Sequence, residues 1–202
     1  MAQLEALLQQ TAALHHHLCP RQVLGVRMGI LAGELLGLEL PQADKRLFTF
    51  IETDGCFADG VAVASGCTLG HRTLRLMDYG KVAATFVDTE TEEAFRIYPH
   101  SSSRAFAAAW SPRAQDPWHS MLEAYQQLPI SDVFCWQSVE MAVDLKALIS
   151  RHGMRVNCSC CGEEILNQRE IMIDGQPVCA ACASGAYYIT KPEKLLENHG
   201  QP

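Results

Sequence analysis

The sequence predicts an α+β protein, helices packed on a mostly antiparallel sheet, with a small cysteine-rich domain at its C-terminus. Three observations predict it. Hydrophobic residues make up 48% of the 202 residues and charged residues 19%, enough apolar material for a packed core and too little charge for a disordered chain. Two stretches of helical periodicity open the chain, and short β-branched and aromatic runs separated by turns follow them. Beyond residue 153 the texture changes to two CxxC pairs, which sets the expected boundary: a core domain over 1–153, then a cysteine-rich domain with a polar tail over 154–202.

Leu4, Leu7, Leu8, Thr11 and Leu14 recur at helical spacing, so residues 2–14 read as an amphipathic helix. Pro20 suits the first turn of a second helix, whose apolar line runs Leu24, Met28, Leu31 and Leu35. On another face Gly25, Gly29, Gly33 and Gly37 recur every fourth residue. Each glycine inside a helix costs about 1 kcal/mol relative to alanine, so the row calls for a backbone crossing it closely. A partner helix, from this chain or a second copy, fits the row better than a sheet does. Residues 46–53 are β-branched and aromatic and predict a strand, and "ADGVAVASG" is small enough for a short buried helix. "RTLRLMD", "VAATFVDT" and "EAFRIYP" read as further strands of a mostly antiparallel meander, with a turn at "DYGK". Helices follow over 101–110 and 117–128, the second closed by Pro129, and "DVFCWQSVEM" supplies one more strand.

The formal net charge is −7 at pH 7, and neither part of the chain is basic overall. Nucleic-acid binders neutralise phosphates with a basic patch, so a nucleic-acid partner is not expected. No apolar run reaches the roughly 18 residues of a membrane span. The first ten residues lack the basic-then-apolar order of a secretory leader, so the expectation is a soluble cytoplasmic protein. The nine cysteines are odd in number, and in a reducing compartment they point to metal binding rather than to disulfides.

Cys158 and Cys161 form one CxxC pair and Cys179 and Cys182 the other, with 17 residues between the pairs. Four thiolates at this spacing suit one tetrahedral structural zinc ion. Gly162 suits the tight turn of the first knuckle, and the second pair opens onto a helix start. Knuckle, hairpin and ligand-bearing helix make a treble-clef zinc finger. Cys160 either replaces one of the four ligands or stands free.

A second constellation lies in "HHHLCP". If residues 15–19 are extended, His15, His17 and Cys19 face one side and His16 the other, with Cys19 at the start of a helix. Cys56 and Cys67 sit in glycine-flanked turns, with Asp54, Asp59, Thr68 and His71 nearby. Imidazole and thiolate suit zinc and related transition metals. His17, Cys19 and Cys56 are thus the expected ligands of a second metal in a core cleft, with His15 and Cys67 as further candidates. An open coordination position there polarises a carbonyl or activates water. The same residues also fit a thiolate nucleophile, Cys19 or Cys56, with His17 as the base. The competing class is a non-catalytic dimeric module that docks a protein or nucleic-acid partner through its zinc finger. Cys135 receives no role.

Taken in order, "HHHLCP" with "GVRMG", then "ETDGCFADGVAVASGCTLGHRTL", then the paired CxxC resemble the formylmethanofuran dehydrogenase E-subunit family. The family pattern runs approximately His-Gly-His-x-Cys-Pro, Asp-x-Cys and Gly-Cys-Thr-x-Gly. The resemblance implies an α+β core with a C-terminal treble clef, and a homodimer with intertwined helices that Gly25, Gly29 and Gly33 would fit. It carries over His15, His17, Cys19, Cys56, and Cys67 with Thr68 as site residues. It also implies a small-molecule reaction or an accessory role in one-carbon or redox metabolism. Two positions depart from the pattern: His16 stands where a small residue is usual, and His71 where a lysine is usual. The family name refers to a complex with a pterin-bound metal, yet this chain has no recognisable pterin or iron–sulfur motif, and a shared fold does not fix function.

Overall fold

The computed structural model describes residues 2–150 and 153–191. The chain divides into two units, Met1–Ala142 and Val143–Pro202; most of the polar tail expected over 190–202 lies outside the described residues. The fold class is the one expected, helices on an antiparallel-dominated sheet and a C-terminal zinc-finger unit.

In the first unit, α1 (Ala2–His15) buries Leu7, Leu8 and Thr11. The chain turns at His16, in the left-handed region at φ 59, and enters α2 (Pro20–Leu36) with proline at a position that needs no amide hydrogen. Most of α2 is buried, and it stops at Gly37, whose left-handed backbone returns its amide to the Gly33 carbonyl. β1 (Leu47–Ile51) leads into α3 (Cys56–Ser65) and then β2 (Leu74–Leu76). β3 (Ala84–Asp88) and β4 (Ala94–Pro99) follow, then α4 (Ser103–Trp110), α5 (Pro117–Gln127), the single turn α6 (Ile130–Val133) and β5 (Phe134–Ser138).

The sheet runs in the order β2-β1-β3-β4-β5. β1–β3, β3–β4 and β4–β5 are antiparallel, whereas β1 and β2 are parallel. The meander therefore holds for β3 to β5 but not at the start. A parallel pair needs a crossover, and α3 is that crossover.

The glycine row of α2 meets a helix of the same chain. A Cβ on Gly25 would overlap the Phe57 carbonyl and stand 2.8 Å from the Val61 nitrogen, both in α3. Gly60 of α3 faces back onto α2, where an added Cβ would lie 3.0 Å from the Val26 nitrogen. Gly29 abuts Ala64, and Gly33 faces the Leu38 carbonyl beyond the end of its own helix. At Gly25 and Gly29 the row is filled by α3 and at Gly33 by the Leu38–Leu40 segment, so it gives no support to a second copy.

Arg27 fixes α5 against α2. Its buried guanidinium donates to the Tyr125 carbonyl and, at 2.8 Å, to the Leu128 carbonyl. Positive charge at a helix C-terminus is the favoured polarity, although burial lowers the Arg27 pKa. Arg27→Met keeps the stem and leaves both carbonyls without this donor. We expect a loss of about 2–3 kcal/mol, read as a lower urea midpoint at unchanged slope. A change below about 0.5 kcal/mol would remove the guanidinium from the account.

The second unit opens with α7 (Leu145–Ser150). β6 (Arg155–Asn157) pairs with β7 (Glu164–Leu166), and β8 (Ile171–Ile173) with β9 (Gln176–Val178), both antiparallel. The short helix α8 (Ala180–Ser184) follows. Its buried apolar cluster consists of Cys158, Ile165 and Val178.

Candidate functional site

A pocket of about 500 Å³ opens in the first unit, where α2, α3, α4 and α5 begin. Cys19 stands just ahead of α2 in extended conformation. Its amide donates to Gln22 Oε1 at 2.7 Å, and the Gln22 side chain donates in turn to the Thr11 carbonyl at 3.1 Å. The position of Cys19 is thereby tied to α1. Cys56 is the first residue of α3, delivered by Gly55 at φ 74 and ψ −157, a conformation that side-chain-bearing residues rarely adopt. Burial pushes the Cys56 thiol pKa up, and a hydrogen bond with the Cys19 thiol pushes it the same way. The two cysteines, far apart in sequence, thus line one pocket.

The histidines divide. α1 runs through His15 and the chain reverses at His16, so residues 15–19 are not one extended segment and the expected alternation does not occur. His15 instead turns its Nε2 to the Asp59 carboxylate, in the first turn of α3. His17 reaches the pocket. Its Nδ1 lies 2.9 Å from the His15 carbonyl oxygen, which can only accept. Nδ1 therefore carries the hydrogen, and in the neutral ring Nε2 is the nitrogen with the free lone pair.

Cys67 does not join them. It is 1% exposed, accepts from the Thr49 hydroxyl and donates to the Leu47 carbonyl, each at 3.4 Å. Burial raises its pKa, and it behaves as a core residue. Thr68 and His71 belong to the turn after α3, where the Thr68 hydroxyl accepts from the His71 amide at 3.1 Å. Of the five residues expected at the core site, His17, Cys19 and Cys56 share the pocket, while His15 and Cys67 lie off it. Sequence reasoning missed Arg21, Arg104, Trp118 and Tyr125, which also line it. A partial signal existed, since Trp118, Met121 and Tyr125 recur on one face of α5.

In the second unit the Sγ atoms of Cys158, Cys161, Cys179 and Cys182 all lie within 4.8 Å of one another. Among the described residues, no other group of three or more His, Cys, Asp or Glu ligand atoms is so gathered. Cys161 and Cys179 are 3.9 Å apart, against about 3.8 Å for thiolates around a tetrahedral ion with Zn–S bonds near 2.3 Å. The donor set fits a structural zinc. Gly162, at φ 78, closes the knuckle, its N–H donating a hydrogen bond to the Cys158 carbonyl at 2.9 Å. Amides of Cys161 and Cys179, the latter at 3.3 Å, hold the Cys158 thiol down at about 6. Hydrogen bonds with the Cys179 and Cys161 thiols push Cys182 far above the ordinary range. Four thiolates so close repel one another, and a cation is what lets them coexist. Cys160 is exposed and lies outside the four.

Among the described residues, no helix is long and apolar enough to cross a membrane. Residues 153–188 match the prokaryotic DksA/TraR C4-type zinc-finger model. A probable S-adenosyl-L-methionine-binding protein of Archaeoglobus fulgidus is 36% identical over 105 residues, 50% of this chain. The match covers 29% of that protein, so the chain spans less than a third of its length. A solved FmdE-like protein of the tungsten formylmethanofuran dehydrogenase type, from Syntrophus aciditrophicus, is similar at a TM-score of 0.60. The superposition covers 92% of this chain and 95% of that one at 21% identity, which makes the likeness one of fold. Residues 14–135 match the FmdE model, described as molybdenum formylmethanofuran dehydrogenase operon. That match takes in more than half of the chain and every core motif from His15 to Gly70, and the chain belongs to the FmdE family.

Proposed function

We propose that the pocket of the first unit is a metal-assisted site for a small molecule, with Cys19, Cys56 and His17 holding a transition metal ion of zinc-like character. The C-terminal unit is then a treble-clef finger whose own zinc is structural. One observation carries the reading: Cys19 and Cys56, from the starts of different helices, line one pocket with His17, and an ion there would have to draw together three ligand atoms that are not gathered as the four C-terminal thiols are. The His17 ring supports it, because a histidine whose Nδ1–H is held by a carbonyl is the form that presents Nε2 to a metal. Thiol and imidazole donors together suit zinc and its neighbours.

Such an ion, with a position open to the pocket, supplies Lewis-acid polarisation of a bound carbonyl or water. The protein's own part is positional. The Gln22–Thr11 relay holds Cys19, Gly55 aims Cys56, and the His15–Asp59 pair holds the turn that carries His17.

Elemental analysis of the purified full chain is expected to give about two metal ions per chain, falling to about one in the Cys19→Ser/Cys56→Ser double variant. A single ion in the wild type, or unchanged content in the variant, refutes the reading.

A further inference from the structure

The charge of this pocket is one-sided. Arg21, in the first turn of α2, and Arg104, in the first turn of α4, both line it, and among the described residues no aspartate or glutamate does. Four arginines elsewhere are engaged, Arg27 by carbonyls, Arg46 by Asp88, Arg96 by Glu52 and Arg155 by Glu164, whereas Arg113 and Arg169, like the pocket pair, have no such partner among the described residues. Among the described residues, neither Arg21 nor Arg104 has an ion-pair or hydrogen-bond partner for its guanidinium. Asp59, one turn along α3 from Cys56, is taken up by His15.

Much of the remaining lining is apolar. Trp118 stays 40% exposed at the pocket, beside Leu24, Val82, Pro99 and Met121. The Trp118 indole meets the His119 ring edge-on at 4.9 Å and still offers aromatic surface on which a ligand ring can stack, and unpaired guanidiniums favour a carboxylate or phosphate, which they bind through parallel N–H donors. A cavity of about 500 Å³ is the size for a small organic ligand rather than a polymer.

We propose that this pocket binds a small aromatic or heteroaromatic acid, its ring against Trp118 and its carboxylate or phosphate engaged by Arg21 and Arg104. The inference rests on the reading of this pocket as the functional site, but the arginines act through charge and need no ion.

The test is calorimetric titration of the full chain with naphthoate, naphthyl phosphate and the neutral isostere naphthamide, with metal content recorded on the same samples. At least one acid should bind about tenfold or more tighter than the amide, as charge-assisted hydrogen bonds require. Whichever acid wins identifies the anionic group. In Arg21→Gln/Arg104→Gln, which alters two exposed side chains, the preference for acid over amide should vanish. Trp118→Ala should weaken both acid and amide and leave their ratio unchanged. Equal binding of acid and amide, no binding of either acid, or a double variant that keeps the preference overturns the proposal. A chain with one metal ion that still prefers the acid sinks the metal reading alone; one with two ions and no preference sinks this proposal alone.

Discussion

Replacing Cys158 and Cys179 together by serine is expected to unfold the second unit and leave the first folded. The argument is one of size. Among the described residues of the unit, three buried ones, Cys158, Ile165 and Val178, form an apolar cluster, with Val156, Cys179 and Ala183 packed partly against it. At about 1.5–3 kcal/mol for a fully buried aliphatic side chain, that cluster cannot offset the ordering of some forty residues. Its strands are three residues long and pair only as two-stranded ribbons, which are marginal in water. β8 buries none of its three residues. A structural zinc contributes about 10–16 kcal/mol in comparable peptides, so the four thiolates are the core of this unit in all but name. The double variant should lose one zinc ion per chain and lose amide-exchange protection over residues 153–191. Protection in α2, α3 and β3 should persist. A second unit that stays protected without its zinc would show that packing alone holds it.

What can be read from the sequence follows from how local each feature is. The zinc site is legible because its ligands come from two short knuckles, where spacing along the chain nearly fixes spacing in space. α1, α2 and α3 are legible from apolar periodicity, Pro20 and small residues. The pairing of β2 is not: alternation marks "LRL" as a strand, but its parallel direction is set by the α3 crossover. The core site is legible in part. Cys19 and Cys56 stand out by their glycine and proline neighbours, but the histidines do not sort themselves, because α1 continues to His15 and Asp59 gives that residue a partner. Cys67 sits in an equally prominent motif, yet its thiol is used up by Thr49 and Leu47 in the core. Arg21 and Arg104 leave no local signal, since each is an ordinary first-turn residue until α2 and α4 converge on one pocket.

Among single substitutions, Gly25→Ala and Gly60→Ala are expected to have the largest effect. At Gly25 the added methyl would meet the Phe57 carbonyl, the Val61 nitrogen at 2.8 Å and the Gly60 carbonyl carbon at 3.0 Å. All three are backbone atoms inside a helix, so no change of rotamer relieves the overlap. The helices must part, and parting them withdraws Val23, Val26 and Met28 from Phe57 and Val61, all at 0% exposure. Overpacking costs about 1–3 kcal/mol where side chains can adjust. Here the backbone must move, and we expect about 3 kcal/mol or more, against which the better helix propensity of alanine returns about 1 kcal/mol. Gly70→Ala is the control, since nothing stands within 4 Å of its added methyl, and it should stay within about 0.5 kcal/mol. Cys19 opens α2 and Cys56 opens α3, so spreading this crossing also spreads the thiol pair. If the pocket holds the proposed ion, the Gly25 and Gly60 variants should lose it together with stability. A ridge that served a second copy would give a midpoint that rises with protein concentration. A ridge filled by α3 gives a loss independent of concentration, and melts at two concentrations tenfold apart decide between them.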